Sequence, residues 1–83
     1  MTLEILELAQ RMNEISEDLS VPGNVRRILK EIVETLNDES EDISVRINTA
    51  TSYLDEVSND PNLAQYTRTE VWNLASRLET IRQ

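Results

Sequence analysis

Four stretches of this chain repeat apolar residues every three or four positions. That is the spacing of one face of an α-helix, and it restricts the chain to an all-α fold. Ile5, Leu8, Met12, Ile15 and Leu19 draw the first seam; Val25, Ile28, Leu29, Ile32, Val33 and Leu36 draw a second and wider one. Ile43, Ile47, Ala50, Leu54 and Val57 form the third, and Val71, Leu74, Ala75, Leu78 and Ile81 the fourth. The width of the second stripe predicts that its helix is the most deeply buried.

The punctuation between the seams sets the boundaries. Thr2 is a suitable N-cap, because its hydroxyl can accept from a backbone N–H that the first turn leaves unpaired. Pro22 beside Gly23, the only glycine, forces a turn, and a proline at a first helical position lets the second helix start there. Residues 37–42 are an acidic connector, in which Ser40 reads as the cap of a third helix with Glu41 and Asp42 in its first turn. Asp60-Pro61 ends that helix, since the residue before a proline is pushed out of the helical region. Thr67-Arg68-Thr69-Glu70 has the form of a capping box ahead of the fourth. The reading is one domain over residues 1–83, with helices over roughly 3–18, 22–37, 41–58 and 68–82, folded as an antiparallel up-and-down four-helix bundle.

Composition narrows the chemistry. A chain of 83 residues buries only about 60–65 % of its unfolded surface. Such chains usually gain support from disulfides, metals or self-association. Cysteine and histidine are both absent, which removes thiolate sites, thiol nucleophiles, the usual general base and the commonest metal ligand. Self-association is the support left open. A net charge of −8 repels phosphate backbones and anionic membrane surfaces. No long apolar run and no leader-like segment ahead of Glu4 are present, so the expected location is the cytoplasm.

Val25-Arg26 and Val45-Arg46 lie 20 residues apart, each at the start of a predicted helix. HEAT repeats open a helix in a similar way, but Val45-Arg46 is followed by Thr49 and Tyr53 where small or apolar residues belong. A solenoid is therefore not expected, and each arginine is expected to pair with neighbouring carboxylates. The acidic run at residues 38–42 lacks the spaced ligands and central glycine of a calcium loop, and reads as a solvated helix junction. No phosphate-binding glycine loop or nucleophile elbow occurs, so no enzyme, cofactor or metal is expected.

Apolar residues that the seams leave over are the candidate interface: Leu3, Leu6, Val45, Tyr66 and Trp72. For Trp72 two readings stand. Either Leu63 and Tyr66 fold over it, with its indole N–H bonded to a loop carbonyl, or Tyr66 and Trp72 together anchor a partner.

Ser20-Val21-Pro22, Asn24-Val25-Arg26, Leu54-Asp55-Glu56, Ser58, Asp60-Pro61-Asn62, Thr67 through Trp72, and Leu78-Glu79 together resemble a family of small archaeal proteins of about this length, an uncharacterised family. The resemblance covers nearly the whole chain. Gly23 departs from it, standing where a larger, often basic residue belongs. The resemblance implies an all-helical bundle of the mirror-handed up-and-down type seen in bromodomains, with no catalytic or binding residues to carry over and no bromodomain activity.

The function expected from these readings is a non-catalytic helical module that acts by protein association, including as a homodimer. One alternative is a ligand- or metal-binding bundle using Thr35, Asn48 and Thr49. Another is an acidic mimic of nucleic acid that binds a basic protein surface.

Overall fold

The computed structural model describes residues 3–81. Four helices, α1 (Leu3–Ser16), α2 (Gly23–Asn37), α3 (Ile43–Ser58) and α4 (Gln65–Ile81), pack in chain order, and α4 also meets α1. The proposed cap Thr2 and the end of the fourth predicted helix at residue 82 lie outside the described residues. The body measures 32 × 19 × 19 Å.

The predicted seams form the core. Ile5, Leu8, Met12 and Ile15 from α1 meet Val25, Leu29, Ile32 and Leu36 from α2, Ile47, Ala50, Leu54 and Val57 from α3, and Val71, Leu74 and Leu78 from α4. Ala9 of α1, with Val21 and Leu63 from the connectors, completes the buried apolar set. Each fully buried aliphatic side chain of this kind is worth about 1.5–3 kcal/mol of transfer free energy. The widest buried face belongs to α3 rather than α2: Arg46, Thr51 and Ser58 are sunk alongside its four apolar residues, whereas Ile28 and Val33 of α2 stay partly exposed. Three polar groups follow the core because each finds a carbonyl. Thr51 donates to Ile47 O, Ser58 to Asp55 O, and Arg46 to Leu36 O.

The three connectors are built alike. Each begins with an aspartate, Asp18, Asp38 or Asp60, whose N–H donates to the carbonyl three residues back at 3.1–3.2 Å. Each aspartate Oδ1 then accepts from the backbone N–H two residues on, Ser20, Ser40 or Asn62, at 2.8–3.0 Å. Its carbonyl accepts from the N–H three residues on, Val21, Glu41 or Leu63, at 3.0–3.3 Å. Eight residues after the aspartate comes an arginine on the first turn of the next helix, Arg26, Arg46 or Arg68. These arginines bond to carbonyls, not to the neighbouring carboxylates expected from the sequence. Arg26 Nε donates to Val21 O and Arg46 Nε to Glu41 O, both at 3.0 Å. Arg46 Nη1 also reaches Leu36 O at 3.0 Å, while Arg68 reaches Ser58 O at 2.8 Å and Asp60 O at 2.7 Å. Leu36 O and Ser58 O lie at helix ends, where the last carbonyls have no intrahelical partner, and a guanidinium satisfies them while complementing the negative end of the helix dipole; Val21 O, Glu41 O and Asp60 O belong to the connectors.

This construction explains where the observed boundaries depart from the expected ones. Helix α1 stops at Ser16 rather than residue 18 because the Asp18 turn takes over. Leu19 consequently leaves the seam and is 83 % exposed, and Val21 enters the core in its place. Ser40 does not cap α3: its N–H and hydroxyl both donate to Asp38, and α3 starts at Ile43 after Asp42. Thr67 is not a cap either. Helix α4 already runs from Gln65, the Ala64 carbonyl accepts from Arg68 N–H, Thr67 is buried within the first turns, and Glu70 bonds to Arg11 on α1. Gly23 lies in α2 without a positive φ, and a Cβ there would meet only Arg26 Nη2 at 3.5 Å.

Two measurements check this account of the junctions. Arg46→Met strands two carbonyls near the core and is expected to lower stability by about 2–4 kcal/mol in urea unfolding, against about 0.5 kcal/mol or less for Arg27→Ala, which removes only an exposed pair with Glu31. Comparable losses would show that the carbonyl bonds carry no weight. The Asp18, Asp38 and Asp60 carboxyls are each held below the usual range. The main cause is a side-chain hydrogen bond, from Ser20, Ser40 and Asn24 respectively, followed by a backbone N–H. A carboxyl depressed by folding contributes stability above its unfolded value of about 4, and that contribution is lost as pH falls through the lower folded value. Unfolding midpoints are therefore expected to drop below about pH 4, with a shallower acid limb in Asp38→Asn. Parallel acid limbs would contradict this.

Candidate interaction surface

The five residues singled out from the sequence all reach the surface. Leu3 is 71 % exposed, Leu6 48 %, Val45 44 %, Tyr66 69 % and Trp72 49 %. The seam leaves Leu3 and Leu6 on the outside of α1 because the positions between and beyond them, Ile5, Leu8 and Ala9, turn inward. Val45 lies two residues before the fully buried Ile47, on the outer side of the first turn of α3. Sequence reasoning missed two further exposed apolar residues by placing them in seams, Leu19 and Ile43. The aspartate turns at Asp18 and Asp38 were the available signal, because they end or delay the helices to which those residues were assigned.

The connector does not close over Trp72, which stays half-exposed. Leu63 is buried as part of the core, and Tyr66 is exposed. No hydrogen bond from the Trp72 indole is found among the described residues. Six residues apart at about 100° per residue, Tyr66 and Trp72 stand roughly 120° apart around α4.

On the other flank of α4, Glu70 takes Arg11 of α1 in a two-pronged ion pair, with Arg11 Nη2 at 2.8 Å from Oε1 and Nε on Oε2. Arg77 lies 3.8 Å from Glu4. The two pairs are seven residues apart on both helices and run in opposite senses, which records an antiparallel crossing. The contact with Arg11 holds the Glu70 carboxyl below its ordinary range and raises the guanidinium of Arg11. Helices α1 and α4 are the most loosely packed neighbours, so these partly exposed pairs stand where aliphatic packing is thinnest.

The polar residues considered for a ligand do not converge. Thr35 is half-buried and donates to Glu31 O, Asn48 is exposed, and Thr49 is half-buried on α3. All five residues of the run 38–42 are exposed, and no Asp or Glu is buried among the described residues. Those residues form no metal-holding acidic cluster and no pocket, and none of their helices is long and apolar enough to cross a membrane.

Residues 2–81 match the model of an uncharacterised protein family, UPF0147. The chain is similar to the UPF0147 protein of Methanosarcina acetivorans, 48 % identical over 77 residues that cover 93 % of this chain and 79 % of the relative. It is also similar to the UPF0147 protein of Methanothermobacter thermautotrophicus, 47 % identical over 76 residues covering 92 % and 74 %. Among solved structures, the crystal structure of a protein of unknown function, MMP1188, aligns with a TM-score of 0.88 and 38 % identity, covering 93 % of this chain and 88 % of that one.

Trp72 is the sole tryptophan, so it reports on this surface directly. In the free protein, acrylamide is expected to quench native tryptophan emission readily, with only a modest further gain on unfolding. Emission shielded in the native state and opened by urea would place the indole inside.

Proposed function

The chain belongs to the uncharacterised protein family UPF0147, and we propose that it is a non-catalytic helical module of the cytoplasm that acts by binding another protein. One observation carries this reading. The core closes without Leu3, Leu6, Val45 or Trp72, each of which is at least 44 % exposed. Isolated exposed apolar residues are ordinary. Here, however, they accompany a sequence with neither histidine nor cysteine to perform common catalytic chemistry. Tryptophan is also among the residue types that most often dominate binding energy when an interface covers them. A half-exposed indole on a rigid helix loses little conformational freedom on docking, so most of its burial is available as affinity.

Affinity purification from the native cell, with tagged wild-type and variant chains, tests this. The expected result is a protein retained in stoichiometric amount, with retention reduced by about tenfold or more in Trp72→Ala or Leu6→Ala. Circular dichroism of both variants should stay unchanged. Sedimentation of the isolated chain at micromolar concentration separates the self-associating form of the proposal from a heterologous one. A strict monomer that retains nothing, or retains the same protein regardless of these substitutions, would overturn it.

A further inference from the structure

We infer that the outward face of α3 and α4 is a self-pairing surface, against which a second copy of this chain docks about a two-fold axis; this rests on the association reading above and narrows it to one face and one partner. Two rows of exposed residues make the face: Val45, Asn48 and Ser52 on α3, and Thr69, Trp72 and Ser76 on α4. Each row is spaced three and then four residues, so each keeps to one side of its helix.

The two rows adjoin. Helices α3 and α4 pack against each other. Trp72 stands one turn beyond Arg68, whose guanidinium reaches Ser58 O at the end of α3. The indole therefore lies on the α3 flank of α4, away from Glu70 and Arg77, which meet α1. On α3, Arg46 marks the α2 flank by reaching Leu36 O. Asn48, two residues later, is about 200° further round, with Ser52 one turn beyond it. Ser52 and Trp72 are six and seven residues from Ser58 and Gln65, the helix ends that the last connector joins, and Asn48 and Ser76 are ten and eleven from them. In an antiparallel pair these residues stand level with one another.

The charge distribution chooses the occupant. Half of the exposed residues of α1 and α2 are charged, against a quarter of those of α3 and α4. That quarter is Asp55, Glu56, Arg77 and Glu79, toward the ends of their helices. No exposed residue from Ile43 to Leu54 or from Val71 to Ser76 carries charge, because Arg46 is buried. A chain of net charge −8 repels its own copy, and least where the touching faces hold no carboxylates. Carboxylates only accept hydrogen bonds and cannot pair with their own images. Hydroxyls and carboxamides both donate and accept, so Asn48, Ser52, Thr69 and Ser76 can, as an isologous contact requires. An aromatic residue amid uncharged side chains is also the composition of an interface core. A basic partner finds no carboxylate here to complement. The long side of the body, 32 × 19 Å, offers about 600 Å² per copy, at the low end of specific interfaces and suited to a weak dimer.

Sedimentation equilibrium of the full chain from about 1 μM to about 1 mM tests this, together with acrylamide quenching of Trp72 over the same range. A monomer–dimer equilibrium with a dissociation constant of about 10–100 μM is expected. The indole should be open to quencher when dilute and shielded when concentrated. Ser52→Glu and Ser76→Glu bring carboxylates into the contact and should weaken pairing about tenfold or more, as should Trp72→Ala. Gln10→Glu, the same charge change on the outer side of α1, should leave the constant within about twofold. A chain still monomeric at about 1 mM overturns the proposal. So does a dimer that Ser52→Glu and Ser76→Glu leave intact, or that Gln10→Glu weakens equally. If the chain stays monomeric while Trp72→Ala releases a different protein in the native-cell purification, the association reading stands and self-pairing falls.

Discussion

Short helices leave carbonyls unpaired at every C-terminus, and in a bundle of four helices of 14–17 residues those ends are a large part of the molecule. The chain meets this constraint with an aspartate turn used three times and an arginine eight residues later: Arg46 and Arg68 reach back to Leu36 O and Ser58 O at the preceding helix end, while Arg26 binds Val21 O within the connector. Hydrogen bonds first, and to a lesser degree the positive charge of the junction arginine, favour the ionised aspartate in each turn. Turn and clamp therefore support each other, although neither makes a direct salt bridge. The two junctions at one end are further tied by Asn24, whose side chain donates to Asp60 at 2.7 Å.

Fixed junctions decide which apolar residues are available to the core. Where the aspartate turn begins, the helix stops, and a residue that continues the heptad-like spacing is expelled, as Leu19 is. Three residues into the turn the chain points inward again, and Val21 and Leu63 fill the space. The exposed Leu19 and the buried Val21 are thus two results of one geometry. Where side-chain packing is thinnest, between α1 and α4, the neighbours are joined by Arg11–Glu70 and Glu4–Arg77, partly exposed ion pairs worth roughly 0–1 kcal/mol each. The bundle is consequently most firmly held along the chain order and least firmly across its closing edge.

Much of this was legible from spacing alone. Ile5, Leu8, Met12 and Ile15, like Val71, Leu74 and Leu78, went inward as a helical period requires, because burial of aliphatic surface outweighs local preferences. The ends were less legible. Ser40 and Thr67 carry side chains that often cap helices, but a hydroxyl donates as readily as it accepts, and Asp38 captured the first while the core enclosed the second. Arg26 and Arg46 looked like partners for nearby carboxylates, since sequence proximity cannot show that a first-turn guanidinium turns to a connector carbonyl, as Arg26 does to Val21 O, or to the preceding helix end, as Arg46 does to Leu36 O. The signal was present in the aspartate-to-arginine interval of eight residues, which Asp60 and Arg68 repeat. Trp72 follows the inward Val71 by about 100° around α4, and half-exposure is the consequence.

The same device shapes the surface. Three of the chain's 8 basic residues are directed to main-chain carbonyls and neutralise no carboxylate directly. Arg11 and Arg77 close the α1–α4 edge, and Arg27 pairs with Glu31. The exposed acidic excess is therefore a consequence of how the helix ends are satisfied as well as of composition. Distributing the arginines otherwise would relieve that field only by reopening a junction. Fold and surface charge are in this sense coupled: the arginines that hold the junctions leave exposed carboxylates without a direct cationic partner.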